Sequence, residues 1–266
     1  MRGAAAGEPA PDRAGPTDCT DHTMHTGHTG HTGHTGHTDR TTHSGHIDHA
    51  DRTAQLQGGL DDAVARSRAW AAFARLFEYP DSATIGRVRS GAVAEEIAAV
   101  LAAVDGAAPD REALGDAGAD DALAIEYTRL FDAGGTAPCP LYGGAYGGAR
   151  MNTMEEAVRF YDHFGLTLAE APRELPDHLA TELEFLHFLA FREAEALAEG
   201  GDPGPWRRAQ RDFIARHPGR WVPELRRRLA RAQSMRFFVE AAARLEALLM
   251  DTSQRFARTV DSPSRG

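Results

Sequence analysis

Apolar residues recur at intervals of three and four along most of the chain, which is the spacing of one face of an α-helix. The clearest stretch starts at Pro176, which is favoured in a first helical turn because its missing N–H would be unpaired there. We expect this helix to span 176–198 and to be largely buried. Its apolar face is formed by Leu179, Leu183, Leu186 and Ala190.

The same spacing predicts several other helices, and no stretch shows the alternation that is typical of β-strands. We expect Gly58-Gly59 to mark the start of the helical part and residues 105–119 to form a loop. The expected fold class is therefore all-α, a single-domain helical bundle. The remaining predicted helices are one around Trp70–Phe77 that ends at Tyr79-Pro80, then Thr84–Val104, Leu123–Phe131, Met154–Phe164, Trp206–His217, Val222–Ala230 and Ser234–Met250.

Three parts of the chain differ in composition. Residues 1–55 are rich in His, Thr and Gly and bury too little apolar surface to offset the entropy of ordering, so we expect a disordered tail. Residues 56–257 form the helical domain, whose length of about 200 residues suffices for one sizeable core. Residues 258–266 form a short C-terminal tail.

The histidines of the N-terminal tail are separated from one another by multiples of three residues. In a polyproline II conformation they would lie on one edge, about 9 Å apart, so neighbours could not share a metal without the chain folding back. Several imidazoles together could then bind zinc, nickel or copper. A repeat that expanded without a function is the other interpretation. The candidate metal ligands are His22, His25, His28, His31, His34, His37, His43, His46 and His49.

Composition excludes several classes of function. The 266 residues are 42% hydrophobic with a net charge of −10, and no lysine is present. This balance argues against nucleic-acid binding. The basic stretch 206–231 can pair with the acidic stretch 155–199 or form solvated helix faces.

Cysteine content and apolar runs indicate the compartment. Cys19 and Cys139 do not make a disulfide framework or a CxxC motif. The first residues lack the apolar region of a signal peptide, and no run is long enough to span a membrane. We therefore expect a cytoplasmic protein without membrane insertion.

Five short motifs follow one another along the helical domain. They are Tyr127-x-x-Leu130-Phe131, Pro140-x-Tyr142-Gly143, Pro176-Asp177-His178-Leu179-x-x-Glu182-Leu183, His217-x-x-x-Trp221 and Phe237-Phe238. In this order they resemble the TorD/DmsD/NarJ family of chaperones that mature molybdopterin-dependent oxidoreductases. The resemblance extends over about 190 residues, from Leu60 to Met250, and implies a TorD-like bundle with no cofactor of its own. It also implies, as the partner, the precursor of an oxidoreductase catalytic subunit.

The resemblance implies a binding site for the twin-arginine signal peptide of that precursor. The site would combine the Leu-Phe pair, the aromatic–glycine loop (residues 138–146) and the start of the long helix. Carboxylates suit guanidinium groups and apolar walls suit the rest of such a peptide. The matching positions, together with the nearby acid Glu174, are Leu130, Phe131, Tyr142, Gly143, Tyr146, Glu174, Asp177 and His178.

Each of these positions also has a purely structural interpretation. Leu130 and Phe131 suit a hydrophobic core, Asp177 could complement the helix dipole, and His178 could fill a polar niche. Glu182 and Glu184 could add further acid. Many relatives have an acidic or hydroxyl residue where this chain has Gly143, so we expect a looser loop with fewer side-chain contacts.

Two other functions, catalysis and metal binding, are alternatives to chaperoning. Catalysis would need a nucleophile with a base, or convergent metal ligands. His178 and His187 lie about 13 Å apart along one helix, which is too far for them to share a metal ion. A lysine-free chain cannot contain a GxxxxGK phosphate loop. We therefore expect that the protein is not an enzyme. The alternative is a metal-binding or metal-storing protein driven by the histidine tail. The sequence leaves open the client's substrate, its export, and whether the chaperone is a monomer or a homodimer.

Overall fold

The computed structural model describes residues 2–3, 49–132, 135–147, 149–167 and 174–260. Over these residues the chain is mostly helical, which confirms the all-α class. The elements in chain order are β1 (Arg2–Gly3), α1 (His49–Leu76), α2 (Ser82–Arg89), α3 (Ala92–Ala103), α4 (Arg111–Leu114), α5 (Ala122–Phe131), a 3-10 turn (Gly143–Ala145), α6 (Arg150–His163), β2 (Leu166–Thr167), α7 (Leu179–Ala198), α8 (Gly204–Arg216), α9 (Pro218–Arg231) and α10 (Arg236–Val260).

Helix α7 lies at the centre of the bundle. It packs along α1 over most of its length and also contacts α8 and α9, while α10 covers α8 and α9 from another side. Its predicted apolar face is confirmed, since Leu179, Leu183, Leu186 and Ala190 are all fully buried. Because α7 is enclosed, the residues at its start are held at a fixed place relative to the rest of the bundle.

Several predicted element boundaries are wrong, among them the end of the last helix, which continues from Met250 to Val260. Gly58-Gly59 lie inside α1, which begins at His49 and so takes in the last residues assigned to the tail. The helix predicted over Thr84–Val104 is two helices, because Gly91 adopts the left-handed conformation (φ 78°) between α2 and α3. The long helix starts at Leu179 instead of Pro176.

Smaller features complete the outline. The expected loop over 105–119 contains the short helix α4. Strand β1 pairs with β2 in antiparallel orientation. Among the helices that the structure describes, none combines enough length with enough apolar character to cross a membrane. Most of the predicted tail, residues 4–48, and the end of the chain from 261 lie outside the described residues.

Candidate functional site

The aromatic–glycine loop lies across the start of α7 and is joined to it by backbone hydrogen bonds. The N–H of Gly143 donates to the carbonyl of Asp177 at 2.9 Å, and the N–H of Leu179 donates to the carbonyl of Leu141 at 2.8 Å. Between them Tyr142 and His178 form a single antiparallel bridge. The sequence motifs around Tyr142 and His178 are therefore one structural unit.

Asp177 ties this unit together through its side chain. The carboxylate is fully buried, and its Oδ2 accepts the N–H of Gly144 at 2.9 Å. Its Oδ1 has no hydrogen-bond partner within the described part of the chain. Asp177 precedes α7 by two residues, so its main contact is with the loop and not with the first turn of the helix.

His178 is the N-cap residue of α7. Its Nδ1 accepts the N–H of Ala180 at 3.3 Å, which replaces a missing intrahelical partner. Its ring meets Tyr142 edge to face with centroids 5.2 Å apart. Burial lowers the pKa of His178 more than the nearby charges of Glu174 and Asp177 raise it. The neutral imidazole that results is the form an accepting Nδ1 requires.

The two glycines of the loop are sites of close approach. A Cβ on Gly143 would lie 3.0 Å from Nε1 of Trp221, and one on Gly144 would lie 2.7 Å from Cγ of Arg150. Gly143 is also buried. The expectation of a looser loop is therefore wrong. Because Gly143 and Gly144 have no side chains, the backbone comes close enough for the N–H groups of both residues to reach Asp177.

A buried polar cluster lies beneath the loop. Nε1 of Trp221 donates to Oε2 of Glu182 at 3.1 Å, and Nδ1 of His217 lies 3.6 Å from Oε1 of the same carboxyl. Burial raises the pKa of Glu182 well above its ordinary value. Burial also lowers the pKa of His217 to about 4, helped by Arg216 and Arg220.

These pKa shifts favour the neutral form of both side chains. Glu182 is fully buried, so it cannot offer a carboxylate to a guanidinium on the surface, and that sequence-based interpretation is wrong. The motif residues meet this carboxyl from the start of α9, where His217 is the N-cap residue and Trp221 lies in the helix. Their contact holds α9, α7 and the loop in register.

Tyr146 is the last residue of the aromatic–glycine loop. Its hydroxyl donates to the carbonyl of Pro140 at 2.7 Å, and its ring stacks on Trp221 with centroids 5.0 Å apart. The guanidinium carbon of Arg228 also lies over the ring, 4.3 Å from the centroid. Tyr146 is half-buried and engaged on several sides, so its part is chiefly to shape the loop.

Tyr142 is the half-exposed aromatic residue at the outer side of this unit. Burial raises its pKa, and the negative charges of Glu174, Asp132 and Asp177 raise it further. The guanidinium carbon of the exposed Arg150 lies over its ring, 5.8 Å from the centroid. Tyr142 therefore presents an aromatic surface bordered by acid that already receives one arginine.

Leu130 and Phe131 lie in the core behind Tyr142. Leu130 is fully buried and Phe131 is 5% exposed. Phe131 packs edge to face against Tyr127 at 4.9 Å and Phe238 at 5.1 Å, between ring centroids. Their position suits a supporting role, and direct contact with a ligand stays a prediction.

The thiol of Cys139 is enclosed where α5 meets the loop. The backbone N–H of Cys139 donates to the carbonyl of Leu130 at 3.0 Å, and the residue is fully buried. Desolvation raises the pKa of Cys139 to about 11, so the thiol is protonated and unreactive while the loop is in place.

Some residues beside the loop escaped the sequence analysis. Tyr79 is 61% exposed and meets Tyr127 edge to face at 5.5 Å. Asp132 and Arg150 lie beside Tyr142 only because α5 and α6 flank the loop in space. The pair Tyr79-Pro80 marked the end of a helix in the sequence, but nothing there indicated that the ring stays in solvent.

The histidine tail is placed only at its last member. His49 begins α1, and the other eight histidines of the predicted metal set lie outside the described residues. Within the described ranges no group of three or more His, Cys, Asp or Glu side chains is arranged to hold a metal ion. Metal binding by the tail therefore stays a prediction.

Comparison with known proteins identifies relatives of this fold. Residues 90–227 match the family model described as nitrate reductase delta subunit. The chain is 35% identical over 178 residues to the selenate reductase assembly chaperone protein of Thauera selenatis, covering 66% of this chain and 82% of that protein.

Further relatives have similar roles in their names. The chlorate reductase assembly chaperone protein of Ideonella dechloratans is 35% identical, covering 64% of this chain and 79% of that protein. The dimethyl sulfide dehydrogenase assembly chaperone protein of Rhodovulum sulfidophilum is 37% identical, covering 59% and 68%. A crystal structure of a proposed redox enzyme maturation protein from Archaeoglobus fulgidus is 22% identical with a TM-score of 0.40, covering 72% of this chain and 93% of that one.

Proposed function

Because the chain belongs to the TorD/NarJ family of redox enzyme maturation proteins, we propose that it is the assembly chaperone of a molybdopterin-dependent oxidoreductase. It binds the precursor of the catalytic subunit in the cytoplasm and holds it until the cofactor has been inserted. It acts by binding and has no catalytic activity of its own.

Similarity to several assembly chaperones supports this role. Relatives named for selenate, chlorate and dimethyl sulfide enzymes match this chain over 59–66% of its length. The family model matches residues 90–227, and this segment contains both the aromatic–glycine loop and the start of α7. A shared assembly role is the interpretation that this sequence similarity supports.

The binding site that we propose is the outer surface of the aromatic–glycine loop. The observation that carries it is the arrangement around Tyr142, whose half-exposed ring is bordered by Asp132 and Glu174 and lies beneath the guanidinium of Arg150. An arginine of the client's twin-arginine signal peptide would take a similar place over the ring. The neighbouring acids would accept its hydrogen bonds, since guanidinium and carboxylate geometries match.

The exposed ring of Tyr79 extends this surface. It continues the aromatic cluster of Tyr127 and Phe131 into solvent, so the apolar part of a signal peptide could cover it. Asp177 and His178 take part indirectly, because they hold the loop and do not face solvent. Leu130 and Phe131 support the same surface from within.

Immunoprecipitation of the full chain from its native host tests the proposed function. An antibody is preferable to a nickel column, because the histidine tail would itself be retained on nickel. We expect a large molybdopterin-binding subunit to co-purify in near-stoichiometric amount. Its consistent absence under conditions in which the oxidoreductase is produced would overturn the chaperone role.

A variant pair tests the site separately. Tyr142→Ala with Glu174→Gln removes the half-buried ring and one bordering acid and should reduce recovery of the subunit several-fold. Met250→Ala removes another side chain that is 54% exposed, at a distant place on α10, and should leave recovery unchanged. Equal recovery with both variants would move the site elsewhere without changing the chaperone role.

A further inference from the structure

The aromatic–glycine loop covers the carboxyl group of Glu182. A Cβ on Gly143 would lie 3.5 Å from Oε1 of Glu182 and 3.0 Å from Nε1 of Trp221, so the loop backbone contacts the carboxyl and its hydrogen-bond donor together. Glu182 itself is fully buried. Lifting the loop at Gly143 would therefore uncover this carboxyl and admit water to it.

The ionised form of this carboxyl would find no balancing positive charge. Nε1 of Trp221 donates to Oε2, while Oε1 has no hydrogen-bond partner and no arginine pairs with Glu182 in the described part of the chain. The titratable groups that face it are His217 at the start of α9, Asp177 before α7 and Tyr161 of α6. An isolated carboxylate in such a place is strongly destabilised and takes up a proton instead.

His217 does not supply the missing positive charge. Its ring stacks on Phe213 at 4.5 Å and meets Phe160 edge to face at 5.5 Å, between ring centroids. Burial, together with the charges of Arg216 and Arg220, lowers the pKa of this imidazole to about 4, so the ring is neutral at pH 7. Because α6 and α8 provide the two ring contacts, His217 stays covered when the loop lifts.

We infer that Glu182 in its protonated form is a positioning residue for the aromatic–glycine loop, and that opening of the loop releases its proton to water. With the loop closed, as in the structure, Oε2 accepts from Trp221 and Oε1 carries the proton. With the loop open, water surrounds the carboxyl and the O–H bond breaks. The carboxylate keeps the electron pair and the buffer takes the proton. The inference does not rest on the proposed client, because the loop and the carboxyl belong to the chain alone.

The direction of the resulting pH dependence follows from the two environments of Glu182. Burial under the closed loop raises its pKa well above the ordinary value, whereas an uncovered, solvated carboxyl titrates near its ordinary pKa of about 4.3. Protonation therefore stabilises the closed loop fully below about pH 4.3, and this stabilisation is lost as the pH rises through the raised pKa. Between the two values the equilibrium constant for opening rises about tenfold per pH unit.

Two other groups define the useful pH range. His217 opposes the effect only when opening exposes it, and only below its ordinary pKa of 6.5. Burial raises the pKa of Cys139 to about 11, so this thiol also releases a proton on opening, but mainly above its ordinary pKa of about 8.5. The range from about pH 6.5 to 8 therefore isolates the contribution of Glu182 among these groups.

Hydrogen–deuterium exchange of the full chain tests the inference. The amides of Gly143 and Gly144 are bonded to Asp177 only while the loop is closed, so their protection relative to an unfolded chain measures the opening equilibrium. We expect this protection to fall by about fivefold or more between pH 6.5 and pH 8. Protection that stays constant over this range would overturn the inference.

A pair of variants assigns the effect to one residue. Glu182→Gln retains an acceptor for Trp221 and cannot ionise, so the protection of its loop should be constant between pH 6.5 and pH 8. Glu156→Gln removes an acid that pairs with Arg216 at the surface of α6 and should keep the full pH dependence. A Glu182→Gln variant whose loop has the same pH dependence as the unmodified chain would contradict the inference.

The infrared spectrum of the unmodified chain tests the protonation without any variant. At pH 7 the folded protein should show the carbonyl band of a protonated carboxylic acid. Thermal unfolding should remove this band, because a solvated Glu182 ionises at this pH. Absence of the band from the folded protein would overturn the inference, whatever the stability of the Glu182→Gln variant.

Discussion

The carboxylate of Asp177 accepts the backbone N–H of Gly144 at 2.9 Å, although the two residues are 33 positions apart in the sequence. The carbonyl of the same aspartate accepts the N–H of Gly143. One residue thus satisfies two successive amides of the aromatic–glycine loop, and the shape of the proposed client surface depends on it.

Replacing Asp177 should weaken the fold as well as the loop. We expect Asp177→Ala to lower the free energy of unfolding by about 1–3 kcal/mol, since it leaves the Gly144 amide without a partner. Asp177→Asn retains an acceptor oxygen and should lose less than half as much. Urea unfolding followed by circular dichroism measures both, and equal losses would show that the charge matters and not the hydrogen bond.

Gly143 should tolerate no side chain. A Cβ at this position would lie 3.0 Å from Nε1 and 3.3 Å from Cδ1 of Trp221, so Gly143→Ala should cost about 1–3 kcal/mol of stability through overpacking. The control is Gly86→Ala in α2, where a Cβ would meet nothing within 4 Å. That change should be neutral or stabilise the helix by about 0.5–1 kcal/mol. Thermal unfolding of the two variants provides the comparison.

His217 should make the protein less stable in acid. Its pKa is lowered from 6.5 to about 4 in the folded protein, so below pH 6.5 the unfolded chain gains a proton that the folded chain does not. The stability contributed by the neutral ring is present above pH 6.5 and is lost as the pH falls towards 4, by up to about 3 kcal/mol.

His217→Phe isolates this contribution. Phenylalanine keeps the ring contact that His217 makes with Phe213 at 4.5 Å and does not titrate. Glu182 has a raised pKa, so its contribution changes in the opposite direction, present at low pH and lost as the pH rises. We therefore compare the free energies of unfolding of the unmodified protein and of His217→Phe at pH 7.5 and pH 5. The unmodified protein should lose more stability between these two pH values than the variant does. Parallel losses would exclude His217 as the cause.

Removing Arg150 should strengthen binding of an arginine-containing peptide. Its guanidinium occupies the face of Tyr142, and an exposed contact of this type is worth about 0.5–1 kcal/mol. Arg150→Ala should thus raise the affinity for a synthetic twin-arginine peptide about two- to fivefold. Arg159→Ala removes the same charge from an exposed position of α6. Calorimetric titration should show little change for Arg159→Ala, and equal gains would indicate a general charge effect.

Variants at Leu130 and Tyr142 should distinguish a residue that supports the fold from one that contacts the peptide. Leu130→Ala removes a fully buried side chain and should cost about 2–5 kcal/mol of stability. Tyr142→Ala loses mainly its aromatic contact with His178, about 0.5–1.5 kcal/mol, but should weaken peptide binding at least fivefold. Unfolding and titration on the same samples test this, and a Tyr142 variant with unchanged affinity would contradict the assignment.

Helices were predictable wherever burial follows one face. The pattern located α5 and α7 well, because Leu130 or Leu183 must be covered whatever the tertiary arrangement. It failed at Gly91, since the apolar positions of α2 and α3 stay in phase across a left-handed turn. It also failed at Gly58-Gly59, where a glycine pair suggested a boundary although the backbone continues as helix.

The site was less predictable than the fold. The motif around Asp177 pointed to the right region, but the sequence could not reveal that its carboxylate is turned inward to Gly144. Glu182 looked like a surface acid because charged residues are mostly exposed, and only the packing of Trp221 and His217 explains its burial. Arg150 lies over Tyr142 because of the path of α6, which has no local signal.

The buried thiol of Cys139 offers a way to time the movements of the client surface. With its pKa raised to about 11 and its side chain enclosed, it can react with an alkylating reagent only when the loop lifts away from α5. In a chain whose Cys19 is replaced by serine, the rate of labelling would report how often the loop opens. A bound client would slow the labelling, so occupancy could be followed in solution from the rate at which Cys139 reacts.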